Sequence, residues 1–236
     1  MNNRTKNIVY SILLIVTVYV VYRFRESQAP DPIRIEGKTM GTTYHITYFD
    51  EKGRNFKSSV DSLLEVINQS INTYLPDSEI TQFNTGTGFR FSLPYFLPVL
   101  KKSKEVFGAS SGAFDPTVMP LVNAWGFGPA EPLNPDNFQV DSIRDLVGFE
   151  KIQFNADSVW KTDARTQLDF GGIGQGYGAD VIADFLKVKG IVNMLVEIGG
   201  EGMACGINLK TKKPWEIAFW IRLLRAIVCF SKRMLP

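Results

Sequence analysis

A chain of 236 residues, 44% hydrophobic and 21% charged, has the composition of an ordinary globular protein and the length of one domain or at most two, with a sizeable core. Its 26 basic and 24 acidic residues leave a formal net charge of +2, too weak a field to argue for nucleic acid as a partner. Two cysteines, Cys205 and Cys229, stand in no metal-ligand or redox spacing, which speaks against a disulfide framework.

The run from Ile8 to Tyr22 carries no charge, with Arg4 and Lys6 before it and Arg23, Arg25 and Glu26 after it. This is the layout of the positive and apolar regions of an export signal. The run is shorter than the roughly 20 residues that comfortably span a bilayer, yet it is dense in Ile, Leu and Val. No cysteine follows to be lipidated, and Ser27-Gln28-Ala29 is a poor small-residue cleavage site. An uncleaved signal anchor is therefore favoured over a cleaved signal, with a buried soluble helix as the remaining alternative. The expectation is an inner-membrane protein whose domain lies on the periplasmic side. Ala29-Pro30-Asp31-Pro32 reads as a linker, dividing the chain into an N-terminal segment 1–32, a domain 33–217 and an atypical tail 218–236.

Thr42 to Phe49 is rich in β-branched and aromatic residues and predicts a strand, with Met40 and Gly41 at its entrance. The lone histidine, His45, falls inside it and reads as a packed or surface residue. Val60, Leu63, Leu64, Ile67 and Ile71 recur at helical spacing, with Ser58 placed to cap and Asp61 near the positive end of the helix dipole. Pro76 halts that helix, and Asp77 and Ser78 offer caps for a short following one, leaving Tyr74 at an element boundary. A short strand at Phe89 to Phe91 precedes a helix from Val99 to Phe107, with Gly108 as its C-terminal stop. Asp115-Pro116 should project the Asp115 carboxylate from a loop. Trp125-Gly126-Phe127-Gly128 reads either as core aromatics around tight turns or as a wall that stacks a planar ring.

Lys151 to Phe154 and Val159 to Thr162 predict a hairpin, and Gln167 to Phe170 a brief strand. From Leu168 to Asp180 five glycines and two acids share thirteen positions. A helix from Gly176 to Lys189 and a strand from Val192 to Ile198 follow. Glycines at that density let a ligand lie against the main chain, and free N–H groups at a helix start attract anions such as a pyrophosphate. Gly174-Gln175-Gly176-Tyr177-Gly178-Ala179 also matches G-x-G-x-x-A, with Glu197 about twenty residues on. That keeps a nicotinamide oxidoreductase as a rival. Against it stand the short preceding strand with Asp169 in it and the late position in the chain, which leaves no room for a second mononucleotide half.

Taken together, Met40-Gly41-Thr42-Thr43-Tyr44, Thr73 to Ile80 with Phe83-Asn84, Gly112 to Thr117, Trp125 to Gly128, the Leu168 to Asp180 loop and Glu197 to Glu201 closely resemble the ApbE-like family, the FAD:protein FMN transferases once described as thiamine biosynthesis lipoproteins. The resemblance implies an α+β fold, T-fold-like, with a mixed, largely antiparallel sheet packed with helices. It implies a magnesium-dependent enzyme that cleaves FAD and attaches FMN by a phosphoester to a Thr or Ser of an acceptor protein. It assigns Met40 and Tyr74 to flavin or adenine contacts, Ala113, Phe114 and Asp115 to a further FAD-binding segment, Asp169 and Gln175 to contacts beside the glycine loop, and the Gly172 carbonyl to the metal. Many relatives carry Lys where Gln175 stands.

Relatives also continue past Lys213-Pro214-Trp215-Glu216-Ile217 through a His-Ile-x-Asp-Pro motif and a segment with Asp and Thr metal ligands. This sequence instead ends in a basic apolar stretch, read as an altered frame or truncated gene in preference to a basic amphipathic membrane helix. An active flavin transferase and a truncated relative that binds FAD or a partner without catalysis are thus the competing expectations.

Overall fold

A computed structural model describes residues 3–26, 30–132 and 137–217, so Ser27-Gln28-Ala29 and the tail after Ile217 lie outside the described residues. Helix α1 (Asn3–Glu26) covers the apolar N-terminal run. Its described side chains, residues 6–21, are all exposed, unlike those of a buried soluble helix. Among the described residues no helix is long and apolar enough to cross a membrane.

The fold proper starts with β1 (Pro32–Thr39), which pairs antiparallel with β2 (Thr42–Phe49). The β2 bounds agree with the expectation; β1 is not among the expected strands, although Arg34 and Glu36 alternate with Ile33 and Ile35 in the period-two pattern of one. The chain reverses through Met40 and Gly41 alone, with φ of 49° and 71°. Two successive positive φ values define the type I′ turn that matches the twist of paired strands. β6 (Met194–Ile198) pairs with β2 on one side and β7 (Glu201–Cys205) on the other, through a second such turn at Gly199 and Gly200, with φ of 60° and 91°. The four-stranded sheet therefore has the order β1-β2-β6-β7 and is antiparallel throughout.

Alternation sends Ile35, Tyr44, Ile46, Tyr48, Met194, Val196 and Ile198 to one face, where all are buried. Helices α2 (Lys57–Ile71) and α7 (Gly174–Val188) cover that face with Val60, Leu64, Ile67 and Ile71 and with Ala179, Ile182, Ala183 and Leu186. Each fully buried Leu, Ile or Val contributes about 1.5–3 kcal/mol, so this layer supplies the main driving force. Ser58 does not cap α2. The helix starts at Lys57 with Phe56 at its N-cap and no side-chain cap, and Asp61 is occupied by Lys57 at 2.9 Å and by the Tyr44 hydroxyl.

Helix α3 (Glu79–Thr85) is capped as its sequence foretells, the Ser78 hydroxyl oxygen accepting from the Thr81 N–H. Helix α4 (Phe96–Ala109) runs through Gly108, and the chain turns only at Ser111 and Gly112, with φ of 53° and 82°. The stop moves because positive φ, not glycine itself, ends a helix. Two short helices, α5 (Met119–Ala124) and α6 (Asn137–Arg144), lead to a single 3₁₀ turn at Phe149–Lys151. β3 (Gly88–Arg90), β4 (Ile152–Phe154) and β5 (Ser158–Lys161) form a second antiparallel sheet in the order β3-β5-β4, and β8 (Ile207–Asn208) pairs with β9 (Lys213–Pro214).

Phe96 ties the two parts of the core together. Its ring meets Phe89 edge-on at 5.0 Å and Phe170 at 5.4 Å. The expected strand at Gln167–Phe170 is absent from either sheet; one parallel bridge, Val118 to Gln167, stands in its place. The oxidoreductase reading fails on this topology. A dinucleotide fold needs a parallel strand feeding the glycine turn, whereas among the described residues all three sheets are antiparallel and Gly174 and Gly176 lie inside α7.

Candidate functional site

The site is built where the two hairpin tips meet the start of α7. Tyr44 stands opposite Ile198, and the Gly199 N–H donates to the Thr43 carbonyl at 3.0 Å, so both reversals lie side by side at one end of the sheet. Gln175, in the first turn of α7, lays its amide over Gly199: a Cβ on that glycine would stand 2.4 Å from Gln175 Oε1. A side chain there would evict the glutamine.

The loop before α7 is folded on itself. Asp169 Oδ1 accepts from the Gly171 N–H at 2.8 Å, and the Phe170 carbonyl accepts from Ile173 at 3.0 Å and from Gly174 at 2.7 Å. Tyr177 N–H reaches the Ile173 carbonyl, but no backbone acceptor among the described residues meets Gln175 or Gly176 N–H. Those two donors lie at the positive end of a 15-residue helix dipole, a natural seat for an anion.

At this helix start is a pocket of about 110 Å³ lined by Met40, Asn72, Thr73, Tyr74, Asp169 and Gln175, with Ile71, Phe170, Gly171 and Gly174 completing it. Ligand pockets usually run to about 300–1,000 Å³, so this one seats a single end of an extended ligand. Four of the expected contacts, from positions 40, 74, 169 and 175, thus converge. Tyr74 is exposed and donates its hydroxyl to the Phe127 carbonyl at 2.7 Å. Trp125 and Phe127 are 49% and 75% exposed. The aromatic pair is therefore a surface wall beside Tyr74 and not core.

Phe114 packs its ring against Gly172, 3.5 Å from where a Cβ would stand, and Pro116 accepts from the Asp169 N–H at 2.7 Å. The segment Ala113 to Asp115 is thereby stitched to the loop without lining the pocket. Asp115 departs from the expectation of a projecting carboxylate. Its Oδ1 is folded back to accept from Thr117 N–H at 2.8 Å and Thr117 Oγ1 at 2.6 Å, because an aspartate two residues before an N–H closes a local turn. Asn72 and Thr73, which line the pocket, were not singled out; their signal was their place between the end of α2 and Tyr74.

Gly172 lines a separate groove of about 1190 Å³ together with Lys101, Lys102, Tyr177, Glu197 and Glu201. Burial, with Tyr95 and Asp180 adding, pushes the Tyr177 phenol up to about 12, so it is a neutral wall. Among the described residues no group of three His, Cys, Asp or Glu side chains is placed to hold a metal ion.

Against known proteins, the model of the ApbE family matches residues 40–221. An FAD:protein FMN transferase of Vibrio cholerae is 37% identical over 199 residues, covering 80% of this chain and 58% of that protein. One of Haemophilus influenzae is 34% identical over 200 residues, covering 79% and 58%. The solved flavin transferase ApbE of Vibrio cholerae superimposes with a TM-score of 0.75 at 36% identity, covering 80% of this chain and 63% of that one. The apo flavinyl transferase ApbE of Pseudomonas stutzeri does so at 0.72 and 32%, covering 81% and 66%. The chain spans 58% of the length of these curated relatives.

Proposed function

The chain belongs to the ApbE family, and from that premise we propose that the pocket at the start of α7 receives one end of FAD and that the chain is an FAD:protein FMN transferase. The observation that carries the reading is the convergence of Met40, Tyr74, Asp169 and Gln175, drawn from four separate stretches, on one pocket at a helix start where no backbone acceptor among the described residues meets the Gln175 N–H. In this arrangement Gln175 and Gly176 N–H groups hold a phosphate oxygen. Asp169, with Oδ1 committed to Gly171, offers Oδ2 to a sugar hydroxyl or the adenine amine. Met40 and Tyr74 supply the apolar face on which a planar ring lies.

In the proposed reaction an acceptor Thr or Ser hydroxyl oxygen bonds to the FMN phosphorus, the bond from that phosphorus to the bridging oxygen breaks, AMP leaves and the hydroxyl proton is lost. Gln175 is a neutral amide and orients the pyrophosphate without adding charge. Magnesium enters the proposal through the family resemblance alone, which assigns the Gly172 carbonyl to it. The test combines FAD titration with in-gel flavin fluorescence on a candidate acceptor protein, with FAD and magnesium present. Binding with transfer supports the reading; binding without transfer reduces it to an FAD-binding relative; neither removes it.

For location, we propose that α1 anchors the chain in the inner membrane with the domain on the periplasmic side. The support is its exposed apolar surface from Ile8 to Val21 and the basic residues flanking the run. A periplasm-dependent reporter fused after Pro32 should be active, and deletion of residues 1–30 should leave the product in the cytoplasm. A reporter active only in the cytoplasm reverses the assignment.

A further inference from the structure

We infer that Asn84, braced by Lys161, is a positioning residue that holds Asp169 in the pocket from outside it. The inference rests on the flavin reading above for its functional consequence, and on hydrogen bonds alone for its geometry.

The segment Leu168–Phe170 delivers Asp169 to the pocket as a stretch that belongs to no strand. On one side it is held by the Asp169 N–H to Pro116 carbonyl bond at 2.7 Å. On the other side the partner is a single side chain. Asn84 Oδ1 accepts from the Leu168 N–H at 2.7 Å, and Asn84 Nδ2 donates to the Leu168 carbonyl at 2.8 Å. The donor and acceptor demands of Leu168 fix which way the amide points. One asparagine thus supplies the pair of bonds that a neighbouring strand residue would supply in a hydrogen-bonded antiparallel pair. With both polar groups of Leu168 pinned and its side chain fully buried, the next residue is turned outward, and that residue is Asp169.

Asn84 is itself fixed. It lies in the last turn of α3, where carbonyls lack helical partners. The Lys161 ammonium, 7% exposed, donates to the Asn84 carbonyl at 3.3 Å and to the Thr166 carbonyl at 2.8 Å, and stands 4.9 Å over the Phe83 ring. Lys161 therefore clamps the end of α3 to the residues just before Gln167. A buried ammonium spent on two main-chain carbonyls secures a geometry and takes no part in a surface ion pair.

The test is FAD titration of the full chain carrying Asn84→Ala, Asp169→Ala and both together. Asn84→Ala should weaken FAD about tenfold, the scale of one or two lost hydrogen bonds, and should add less than about twofold once Asp169 is already alanine, as expected for residues acting through one another. Asn84→Asp keeps the acceptor for Leu168 N–H but sets a carboxylate oxygen against the Leu168 carbonyl, and should not rescue. An equal loss in both backgrounds, or no loss from Asn84→Ala, overturns the inference. Amide hydrogen exchange gives a readout that needs no ligand. Asn84→Ala, and Lys161→Met should the first variant fold poorly, should raise exchange at Leu168 to Gly171 while β2 and β6 stay protected. Unchanged protection at Leu168 overturns it as well. A wild-type chain that fails to bind FAD sinks the flavin reading and leaves the exchange experiment to decide the positioning.

Discussion

Met40 and Gly178 are in contact across the site: a Cβ on Gly178 would stand 3.2 Å from Met40 Cε and 3.3 Å from Ile198 Cδ1. Met40 reaches that place only because it occupies a left-handed hairpin position, φ 49°, which costs a non-glycine residue about 1–2 kcal/mol. Strain of this kind persists where the surroundings enforce it, and here it aims a thioether into the pocket lining.

Gly178→Ala tests what that contact is for. Replacing a glycine inside a helix gains about 1 kcal/mol, and crowding a flexible thioether by a few tenths of an ångström costs a similar amount. Thermal stability should therefore barely change. FAD affinity should fall severalfold because Met40 is displaced, and an unchanged affinity would take Met40 out of the flavin contact.

Asp169 has two separable roles, one in the turn and one toward the ligand. Asp169→Ala should cost about 1.5–3 kcal/mol of FAD binding, the range for a hydrogen bond to a charged group. Asp169→Asn keeps an oxygen for the Gly171 N–H and should lose only the charged part, giving an intermediate affinity. Titrations in which both variants match the unmodified chain would remove Asp169 from the site.

Lys161 carries a pH signature. Burial lowers its ammonium to about 8 from the ordinary 10.5, partly opposed by Asp163. Between those two values the unfolded chain binds more protons than the folded one, so this residue's contribution makes stability rise with pH from about 8 to 10.5 and adds no slope below about 8. In denaturant titrations across that window, the stability of Lys161→Met relative to the unmodified chain should fall as pH rises. A constant difference would show that the ammonium is not desolvated.

Glu79 is a buried carboxylate, 2% exposed, that accepts from Ser70 Oγ at 2.6 Å, from Ser92 N–H and Oγ at 2.7 and 3.0 Å and from Leu93 N–H at 2.9 Å. Every partner is a donor. Glu79→Gln places an NH₂ among donors and should destabilise the fold by about 1–3 kcal/mol, lowering the urea midpoint while per-folded-molecule FAD affinity stays the same. A midpoint equal to that of the unmodified chain would mean that the amide finds other partners.

Much of the local structure was legible in the sequence because its causes act over a few residues. Thr42 to Phe49 is rich in β-branched and aromatic residues, a local composition that marks β2, and its alternation then turns Tyr44, Ile46 and Tyr48 inward. Ser78 precedes Glu79 at a helix start, and the cap follows from one side chain reaching one N–H. The glycine loop leading into α7 was visible for the same reason. Errors arose where a local signal had two outlets. Ser58 could cap or sit inside α2, Gly108 could end or continue α4, and Asp115 could project or close a turn on Thr117; packing and neighbouring donors chose the second in each case. Gln167 to Phe170 carries strand residues, yet within it Leu168 pairs with the Asn84 side chain, which meets both its N–H and its carbonyl.

The sequence by itself determined the anion-friendly helix start and, through its ordered motifs, the family, whose resemblance implied the α+β class with a largely antiparallel sheet. Only the tertiary structure decided that Met40, Tyr74, Asp169 and Gln175 share a pocket while Ala113 and Asp115 stand outside it. That outcome depends on the register of β2 against β6, which sets the two hairpin tips side by side, and on Gly199 leaving room for Gln175. Register is a property of strands brought together across about 150 intervening residues, and no periodicity within either strand encodes which residues will face each other over that distance.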